Sequence, residues 1–248
     1  MSLGLPDGIR ACLFDLDGVL TQTAKVHAAA WKRMFDEYLR ARAERTGEPF
    51  REFDLVSDYG TYVDGKPRAD GVRSFLESRG IELKKGGADD PPSTETIAGL
   101  GNRKNELVLK LIAEQGVEAY EGSVAYAKAA IEAGMSRAVV SSSTNCQAVL
   151  EAAGIADLFE QVVDGHLAER EGLAGKPAPD TFLAGARLLG VEASEAVVYE
   201  DALAGVEAGR AGGFGFVVGV DRVGGDHARS LAEHGADIVV NDLAELRE

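Results

Sequence analysis

The sequence predicts an α/β fold: a parallel sheet with helices on both faces, and a helical insertion directly after the first strand. Three observations support this prediction. Residues 11–14 are apolar and are typical of a central strand that is buried on both faces. Residues 24–115 show mostly helical periodicity without strand alternation. After residue 115, short β-branched segments alternate with helical ones, as they do in parallel sheets.

The sheet domain continues after residue 115 with a regular alternation of strands and helices. Its clearest helix carries Phe182, Leu183, Ala186 and Leu189 at helical spacing. A later helix ends in two glycines, which commonly terminate helices. In chain order we expect a strand at 137–140, a helix at about 146–153, a strand at 161–164, a helix at 178–190, a strand at 196–199, a helix at 200–213, and strands at 214–220 and 237–240.

The insertion is expected to contain three helices, at 24–44, 71–80 and 102–116. Residues 84–96 are rich in Gly and Pro and predict a surface loop. The sequence therefore divides into an α/β domain and a helical domain. The predicted bounds are 1–22 with 116–248 for the α/β domain, and 23–115 for the helical domain.

Composition and charge limit the partners of this chain. Its 248 residues are 45% hydrophobic and 27% charged, which is ordinary for a globular protein with a full α/β core. The formal net charge of −15 argues against nucleic acid, whose binding depends on Lys and Arg, but it allows a small phosphorylated ligand. No signal peptide or long apolar run is visible, so we expect no membrane partner and a cytoplasmic location. Cys12 and Cys146 show neither disulfide nor zinc spacing.

Polar side chains collect where the predicted strands end, which is the edge at which parallel α/β sheets bind ligands. They are Asp15 and Asp17 after the first strand, Ser141 to Asn145 after the strand at 137–140, Glu200 and Asp201 after the strand at 196–199, and Lys176 before a helix. Buried carboxylates are costly unless a cation meets them. Oxygen ligands without His or Cys favour Mg²⁺, while a hydroxyl, backbone N–H groups and one lysine suit a phosphate dianion. The set therefore predicts a phosphoryl-transfer site in which a carboxylate could itself be the nucleophile.

Four ordered motifs in this set resemble the signature of the haloacid dehalogenase (HAD) superfamily. They are "DLDGV" (15–19), "VVSSS" (139–143), Lys176 in "GKPAPD", and "YEDALAG" (199–205). The resemblance implies a Rossmann-like core with a helical cap inserted after the first strand. It also implies that Asp15 is the nucleophile and that Asp17 is the general acid and base. Ser141 and Lys176 would hold the phosphoryl oxygens, and the Mg²⁺ ligands would be Asp15, the backbone carbonyl of Asp17, Glu200 and Asp201.

The insertion resembles the helical cap of the β-phosphoglucomutase-like branch of this superfamily. The matching segments are "FDLDGVLTQTAKVHAAAWK" (14–32), "VDGKPRADG" (63–71) and "NRKNE" (102–106). One departure lies in the α/β domain, where Thr144 stands at a position that is often Lys in this branch. A cation for a second phosphate is therefore missing there.

The same resemblance implies how the substrate is held. In that branch, a cap arginine grips the non-reacting phosphate of a bisphosphate intermediate, a role that falls on Arg68. Three cap residues would bring Asp17 into position when the cap closes, namely Thr23, His27 and Lys104. The remaining expected substrate contacts are Gly65, Ser143 and Asn145.

Simpler explanations stand beside these roles. The two aspartates of the first motif could form a turn, and Glu200 with Asp201 could merely begin a helix. His27 could be structural, and Lys104 could be solvated. Trp31 could belong to the core of the helical domain or contact the substrate. Three histidines show no convergent partners and are assigned no role: His166, His227 and His234.

Two enzymatic functions follow, and both would act on a small phosphorylated sugar. The leading prediction is a Mg²⁺-dependent mutase that converts β-D-glucose 1-phosphate to glucose 6-phosphate through an aspartyl-phosphate on Asp15. The alternative is a HAD-type phosphatase that hydrolyses a small sugar or polyol phosphate. The same four motifs would serve the phosphatase, and Thr144 favours it. A non-catalytic, metabolite-binding relative is disfavoured, because none of the motifs is broken.

Overall fold

The computed structural model describes residues 3–247, which form two compact units. The first, here called the sheet unit, runs through Gln22 and resumes at Val117. The second, here called the helical unit, is Thr23–Gly116. None of the helices in the described part of the chain combines the length and the hydrophobicity needed to cross a membrane.

The sheet unit is built on six strands. They are β1 (Ala11–Phe14), β2 (Ser136–Val140), β3 (Gln161–Val163), β4 (Ala196–Glu200), β5 (Phe216–Val220) and β6 (Ile238–Val240). Their order in the sheet is β3-β2-β1-β4-β5-β6, and every neighbouring pair is parallel. This is the strand order of Rossmann-like, doubly wound folds, so the predicted fold class is confirmed.

Nine α-helices occur within residues 3–247. They are α1 (Ala24–Thr46), α2 (Arg68–Ser78), α3 (Ile97–Gln115), α4 (Glu121–Glu132), α5 (Cys146–Ala152), α6 (Gly165–Glu171), α7 (Asp180–Leu189), α8 (Leu203–Ala211) and α9 (His227–Glu233). The first three belong to the helical unit and the other six to the sheet unit.

The core of the sheet unit explains why β1 is apolar throughout. Leu13 pairs with Ala138 of β2 on one side and with Val198 of β4 on the other, and all three are fully buried. Phe182 of α7 and Val206 of α8 are buried in the same cluster. A strand covered on both faces has no polar position to alternate with, which gives a continuous apolar run.

Aromatic side chains fill the core of the helical unit. The ring of Phe35 lies 5.3 Å from that of Trp31, 5.2 Å from that of Phe53 and 4.2 Å from that of Phe75, measured between centroids. Each of these four side chains is buried. Full burial of such a side chain stabilises a fold by about 1.5–3 kcal/mol. Trp31 is therefore a core residue of this unit.

The Gly/Pro-rich segment 84–96 lies outside the helices and strands, as predicted, and it is held by side-chain hydrogen bonds. The Thr96 hydroxyl accepts the N–H of Gly99 at 3.0 Å and donates to Asp90 at 2.5 Å. Asn102 donates to the Asp90 carbonyl at 2.9 Å. This N-cap starts α3 at Ile97, earlier than the helical pattern from residue 102 predicts.

Several other expectations differ from the structure. Helices α4, α6 and α9 were not predicted, and a five-residue π-helix occupies Tyr59–Val63. Asp164 was expected to end a strand, but its carboxylate accepts the N–H of Leu167 at 2.8 Å and caps α6. Leu183 was expected on the buried stripe of α7, but 39% of it is exposed. Helix α2 begins at Arg68, three residues before the predicted start.

Candidate active site

The carboxyl ends of β1, β2 and β4 bring the first site residues to one edge of the sheet. Asp15 directly follows β1, and its N–H donates to the carbonyl of Tyr199 in β4 at 3.0 Å. This hydrogen bond continues the strand pairing by one residue and places Asp15 beside the end of β4. Glu200 is the last residue of β4 and Asp201 follows it. Ser141 follows β2 and donates its N–H to the Val163 carbonyl at 2.9 Å.

Lys176 connects three parts of this edge. Its Nζ donates to Asp15 at 2.5 Å, to Glu200 at 2.6 Å and to the carbonyl of Val140 at 3.1 Å. Only 1% of its side chain is exposed. All three protons of the buried lysine ammonium group therefore have acceptors. Lys176 is not a surface lysine, although its position before a Pro-rich turn taken alone would suggest one.

Three carboxylates of this edge fit a divalent cation. One oxygen each from Asp15, Glu200 and Asp201 lies within 4.8 Å of the others, and all three residues are buried. Hard carboxylate oxygens without a His or Cys partner are the ligands that Mg²⁺ and Ca²⁺ prefer. Lys176 supplies one positive charge for this group, so buried negative charge remains for a metal to balance.

Two glycines permit the close approach of these carboxylates. Gly18 has φ +88°, and a Cβ atom there would lie 1.8 Å from a carboxylate oxygen of Asp201. A Cβ atom at Gly205 would lie 1.8 Å from a carboxylate oxygen of Glu200. Contacts this short are impossible for a side chain, and the positive φ independently favours glycine at position 18. The motif glycines therefore shape the walls of the carboxylate cluster.

Burial dominates the electrostatics of the cluster. Burial raises the pKa of the Asp15 carboxyl well above its ordinary value, Lys176 opposes this shift, and Glu200 and Asp17 add to it. Burial also disfavours the charge on Lys176, but the attraction of Asp15 and Glu200 outweighs it and raises the pKa of the amine. Lys176 therefore stays protonated, and Asp15 depends on neighbouring positive charge to remain an anion.

The segment after β2 is ordered by its own hydroxyl groups. The Ser141 hydroxyl accepts the N–H of Ser143 at 3.1 Å, and the Ser143 hydroxyl accepts the N–H of Asn145 at 3.1 Å. These short turns are the local alternative to helix that Ser favours, and they lead into α5. Asp17 lies in the turn after β1, where Gly18 donates its N–H to the carbonyl of Thr21 at 2.8 Å.

The helical unit brings together two of the residues expected to contact substrate. Lys104 Nζ lies 2.9 Å from His27 Nδ1 and 4.8 Å from the ring centroid of Trp31. Because a lysine ammonium group can only donate, Nδ1 of His27 is the acceptor. Lys104 is buried, so it is not a solvated lysine. Thr23 is the N-cap residue of α1, one turn before His27.

Arg68 and Gly65 lie elsewhere in the helical unit, around the start of α2. Gly65 has φ +69° in the turn before this helix, and Arg68 is its first residue. The aliphatic part of Arg68 packs against Gly101 of α3, where a Cβ atom would lie 3.3 Å from Cγ of Arg68. The glycine leaves room for the arginine side chain.

Sequence reasoning missed two residues that contact the site loops. Arg222 Nε donates to the carbonyl of Gly18 at 2.9 Å, and His227 Nε2 lies 2.9 Å from the carbonyl of Asp201. The expectation that His227 has no convergent partner is therefore wrong. Residue type and spacing give no sign of such contacts, because each partner is a backbone carbonyl. The available signal was position, since both residues follow the fifth strand at the ligand-binding edge.

Comparisons with known proteins show which family this chain resembles along most of its length. A sequence model of haloacid dehalogenase-like hydrolases matches residues 9–213. The chain is 57% identical over 245 residues to a β-phosphoglucomutase of Mycobacterium tuberculosis, covering 98% of this chain and 94% of that protein. It is 30% identical over 242 residues to a β-phosphoglucomutase of Bacillus subtilis, covering 96% and 92%. A crystal structure of β-phosphoglucomutase from Clostridium difficile superposes with a TM-score of 0.73 at 26% identity, covering 96% of this chain and 93% of that one.

Proposed function

The chain belongs to the haloacid dehalogenase-like hydrolase family, in its β-phosphoglucomutase-like branch, and on this premise we propose that it is a Mg²⁺-dependent β-phosphoglucomutase. Members of this group are enzymes, phosphotransferases or phosphatases. The proposed reaction converts β-D-glucose 1-phosphate to glucose 6-phosphate. The observation that carries the proposal is the near-full-length similarity to the mycobacterial β-phosphoglucomutase.

Asp15 is the nucleophile in this proposal. One of its carboxylate oxygens forms a bond to phosphorus while the bond from phosphorus to the sugar oxygen breaks. Asp17, two residues away, gives a proton to the leaving oxygen and later removes one from the attacking hydroxyl. The contact from Lys176 supports the role of Asp15, because it favours the anion in a site where burial alone favours the neutral acid.

Mg²⁺ is the proposed cofactor, held by Asp15, Glu200, Asp201 and the backbone carbonyl of Asp17. When bound, the ion would neutralise charge on the carboxylates and on the phosphoryl oxygens. The remaining phosphoryl contacts fall to Ser141 and Lys176. The buried carboxylate cluster, with its single lysine, supports this division between cation and anion ligands.

A mutase needs two phosphate sites, because its intermediate is a bisphosphate. Phosphorylated Asp15 donates its phosphoryl group to the C6 hydroxyl, whose proton passes to Asp17, and β-glucose 1,6-bisphosphate forms. After the intermediate turns over, its C1 phosphate is transferred to Asp15 and glucose 6-phosphate leaves. Arg68, Ser143 and Asn145 are the proposed ligands of the distal phosphate. Thr23, His27, Gly65 and Lys104 complete the proposed substrate contacts.

The second candidate is a phosphatase for a small sugar or polyol phosphate. In that reaction, water takes the phosphoryl group from Asp15, and the same core residues serve. The specific observation in its favour is Thr144, which puts a neutral side chain where the branch often has a lysine for the second phosphate. A mutase must keep water from its phosphoenzyme, and a phosphatase must admit it.

A coupled assay separates the two candidates. The enzyme is given Mg²⁺, β-glucose 1-phosphate and a trace of β-glucose 1,6-bisphosphate. Glucose 6-phosphate is measured with its dehydrogenase, and free phosphate is measured in parallel. Rapid glucose 6-phosphate with little free phosphate is the expected result. Free phosphate without isomerisation would replace the mutase by the phosphatase. Asp15→Asn is expected to abolish both signals, and full turnover by that variant would refute the covalent mechanism.

A further inference from the structure

We propose that the segment 221–227, which runs from the end of β5 to the first residue of α9, positions the metal-binding carboxylates through Arg222 and His227. Both are positioning residues, because they contact the backbone of the site loops. The inference rests on the proposed function, since it takes Asp15, Glu200 and Asp201 as the metal ligands. It adds a third strand end, that of β5, to the two that carry the carboxylates.

The first observation is that side chains of this one segment form hydrogen bonds with a backbone carbonyl in each of the two carboxylate-bearing loops. Arg222 Nε donates to the carbonyl of Gly18, in the loop after β1, at 2.9 Å. His227 Nε2 lies 2.9 Å from the carbonyl of Asp201, in the loop after β4. Because a carbonyl oxygen only accepts, Nε2 of His227 carries the hydrogen and donates it. The segment thus bridges the two loops.

The second observation is that these two loops touch at the metal-ligand oxygens. The space where Gly18 would carry a Cβ atom is filled by the Asp201 carboxylate, 1.8 Å away from that position. A shift of either loop therefore changes the position of a carboxylate oxygen. Groups that orient metal ligands typically change metal affinity by about 10–100-fold when they are removed.

The third observation is that the bridging segment is itself fixed. The Asp221 carboxylate accepts the N–H groups of Val223 at 3.0 Å and Gly224 at 2.7 Å. The guanidinium carbon of Arg222 lies 3.6 Å from the ring centroid of Tyr120. Arg222 also donates to the Asn241 carbonyl at 2.5 Å. Only 14% of the Arg222 side chain is exposed. The segment is therefore fixed by contacts other than those with the two loops, so it can restrict the positions of the loops.

The test measures metal binding directly, using Mn²⁺ and the electron paramagnetic resonance signal of the free ion. His227→Leu removes the donor and is expected to weaken Mn²⁺ binding about tenfold or more. His227→Gln keeps an N–H donor and is expected to recover most of the affinity that His227→Leu loses, so that its loss stays well below about tenfold. Arg222→Lys keeps the charge but loses the planar Nε donor, and we expect a loss similar to that of His227→Leu.

His234→Leu is the matched control. His234 directly follows α9, and its ring contacts the Ser230 carbonyl at 2.7 Å and Glu207 at 3.5 Å. We expect wild-type Mn²⁺ affinity for this variant. The melting temperature of each metal-free variant is measured as well, so that a general loss of folding is recognised as such. A purely structural role would lower the melting temperature of His227→Leu and His227→Gln alike, without the recovery of affinity by glutamine.

Asp201→Asn separates this inference from the metal site on which it rests. If the wild type binds Mn²⁺, Asp201→Asn does not, and His227→Leu binds like the wild type, then the positioning role is refuted and the metal site stands. If the wild type and Asp201→Asn bind equally, the metal site is refuted and this inference with it. The expected result is a strong loss in Asp201→Asn and a partial loss in His227→Leu, with recovery by glutamine.

Discussion

Replacing Lys176 by methionine removes the only side-chain cation that contacts the buried Asp15 and Glu200 in the described part of the chain. Methionine keeps most of the volume and removes the charge. Only 1% of the Lys176 side chain is exposed, and its ammonium group donates hydrogen bonds to two carboxylates and one carbonyl. Removing one partner of a buried ion pair typically costs about 3–5 kcal/mol. We expect the free energy of unfolding to fall by that amount. The total free energy of unfolding of an ordinary protein is only about 5–15 kcal/mol, so the loss would be a large share of it.

The assay is urea unfolding followed by far-ultraviolet circular dichroism, in EDTA, so that no metal substitutes for the lysine. Lys110→Met is the matched control: this lysine is 63% exposed and lies 4.0 Å from Glu114. An exposed pair of this kind contributes less than about 0.5 kcal/mol. The control should therefore unfold like the wild type.

A second substitution tests the cause of the loss. Adding Glu200→Gln to Lys176→Met removes one of the two uncompensated charges, and glutamine keeps an oxygen for the N–H of Ala202, which Glu200 accepts at 3.0 Å. We expect the double variant to recover at least about 1 kcal/mol relative to Lys176→Met. A loss below about 1 kcal/mol for Lys176→Met, or a further loss in the double variant, would refute the electrostatic account.

Three further predictions concern other parts of the chain. Gly18→Ala places a methyl group on the Asp201 carboxylate at a positive φ, and should lower Mn²⁺ affinity by at least about tenfold in the same resonance assay. Arg68→Ala should lower mutase kcat/KM far more than hydrolysis of a simple aryl phosphate, and equal losses would exclude Arg68 as a distal-phosphate ligand. Burial raises the pKa of the Cys12 thiol to about 12 and that of Cys146 well above its ordinary 9.0. A chromogenic disulfide reagent should therefore react with neither thiol before unfolding, and thiol ionisation in the unfolded chain should lower stability as pH rises above about 9.

The central strands were predictable because a parallel sheet is covered on both faces, so that β1 and the first four residues of β4 are apolar without polar alternation. Helices α6 and α9 were missed for a related reason. Each has seven residues and at most one buried side chain, so no apolar stripe marks either segment as a helix, whereas the equally short α5 buries three side chains. The predicted start of α3 is too late because its first residues include Gly99 and Gly101, and the helix begins there through the N-cap hydrogen bond of Thr96. The predicted start of α2 is too late because Arg68, Ala69 and Asp70 offer no large apolar side chain and no side chain caps this helix.

Some features of the candidate site were predictable from the sequence and others were not. Asp15, Glu200 and the serines after β2 were predictable, because strand ends in α/β sheets meet at one edge. The ion pairs of Lys176 with both carboxylates were not, because the sequence placed this lysine at the same edge but assigned it to the phosphoryl oxygens. The contacts of Arg222 and His227 were not predictable from residue type or spacing either, because both acceptors are backbone carbonyls, which every residue has; only the position of the two residues after β5 pointed to them.

The charge balance at the sheet edge explains how one core can serve both a mutase and a phosphatase. Asp15, Glu200 and Asp201 contribute three buried carboxylates, and Lys176 places one positive charge beside two of them. A phosphoryl group adds about −1.5 to −2 at neutral pH. Like charges about 4 Å apart cost ~4 kcal/mol at an effective dielectric constant of about 20. In both proposed reactions a divalent cation would offset this repulsion, whether a hydroxyl or water accepts the phosphoryl group. The choice of acceptor would then come from residues outside this cluster, which in the proposed mutase are the distal-phosphate ligands Arg68, Ser143 and Asn145.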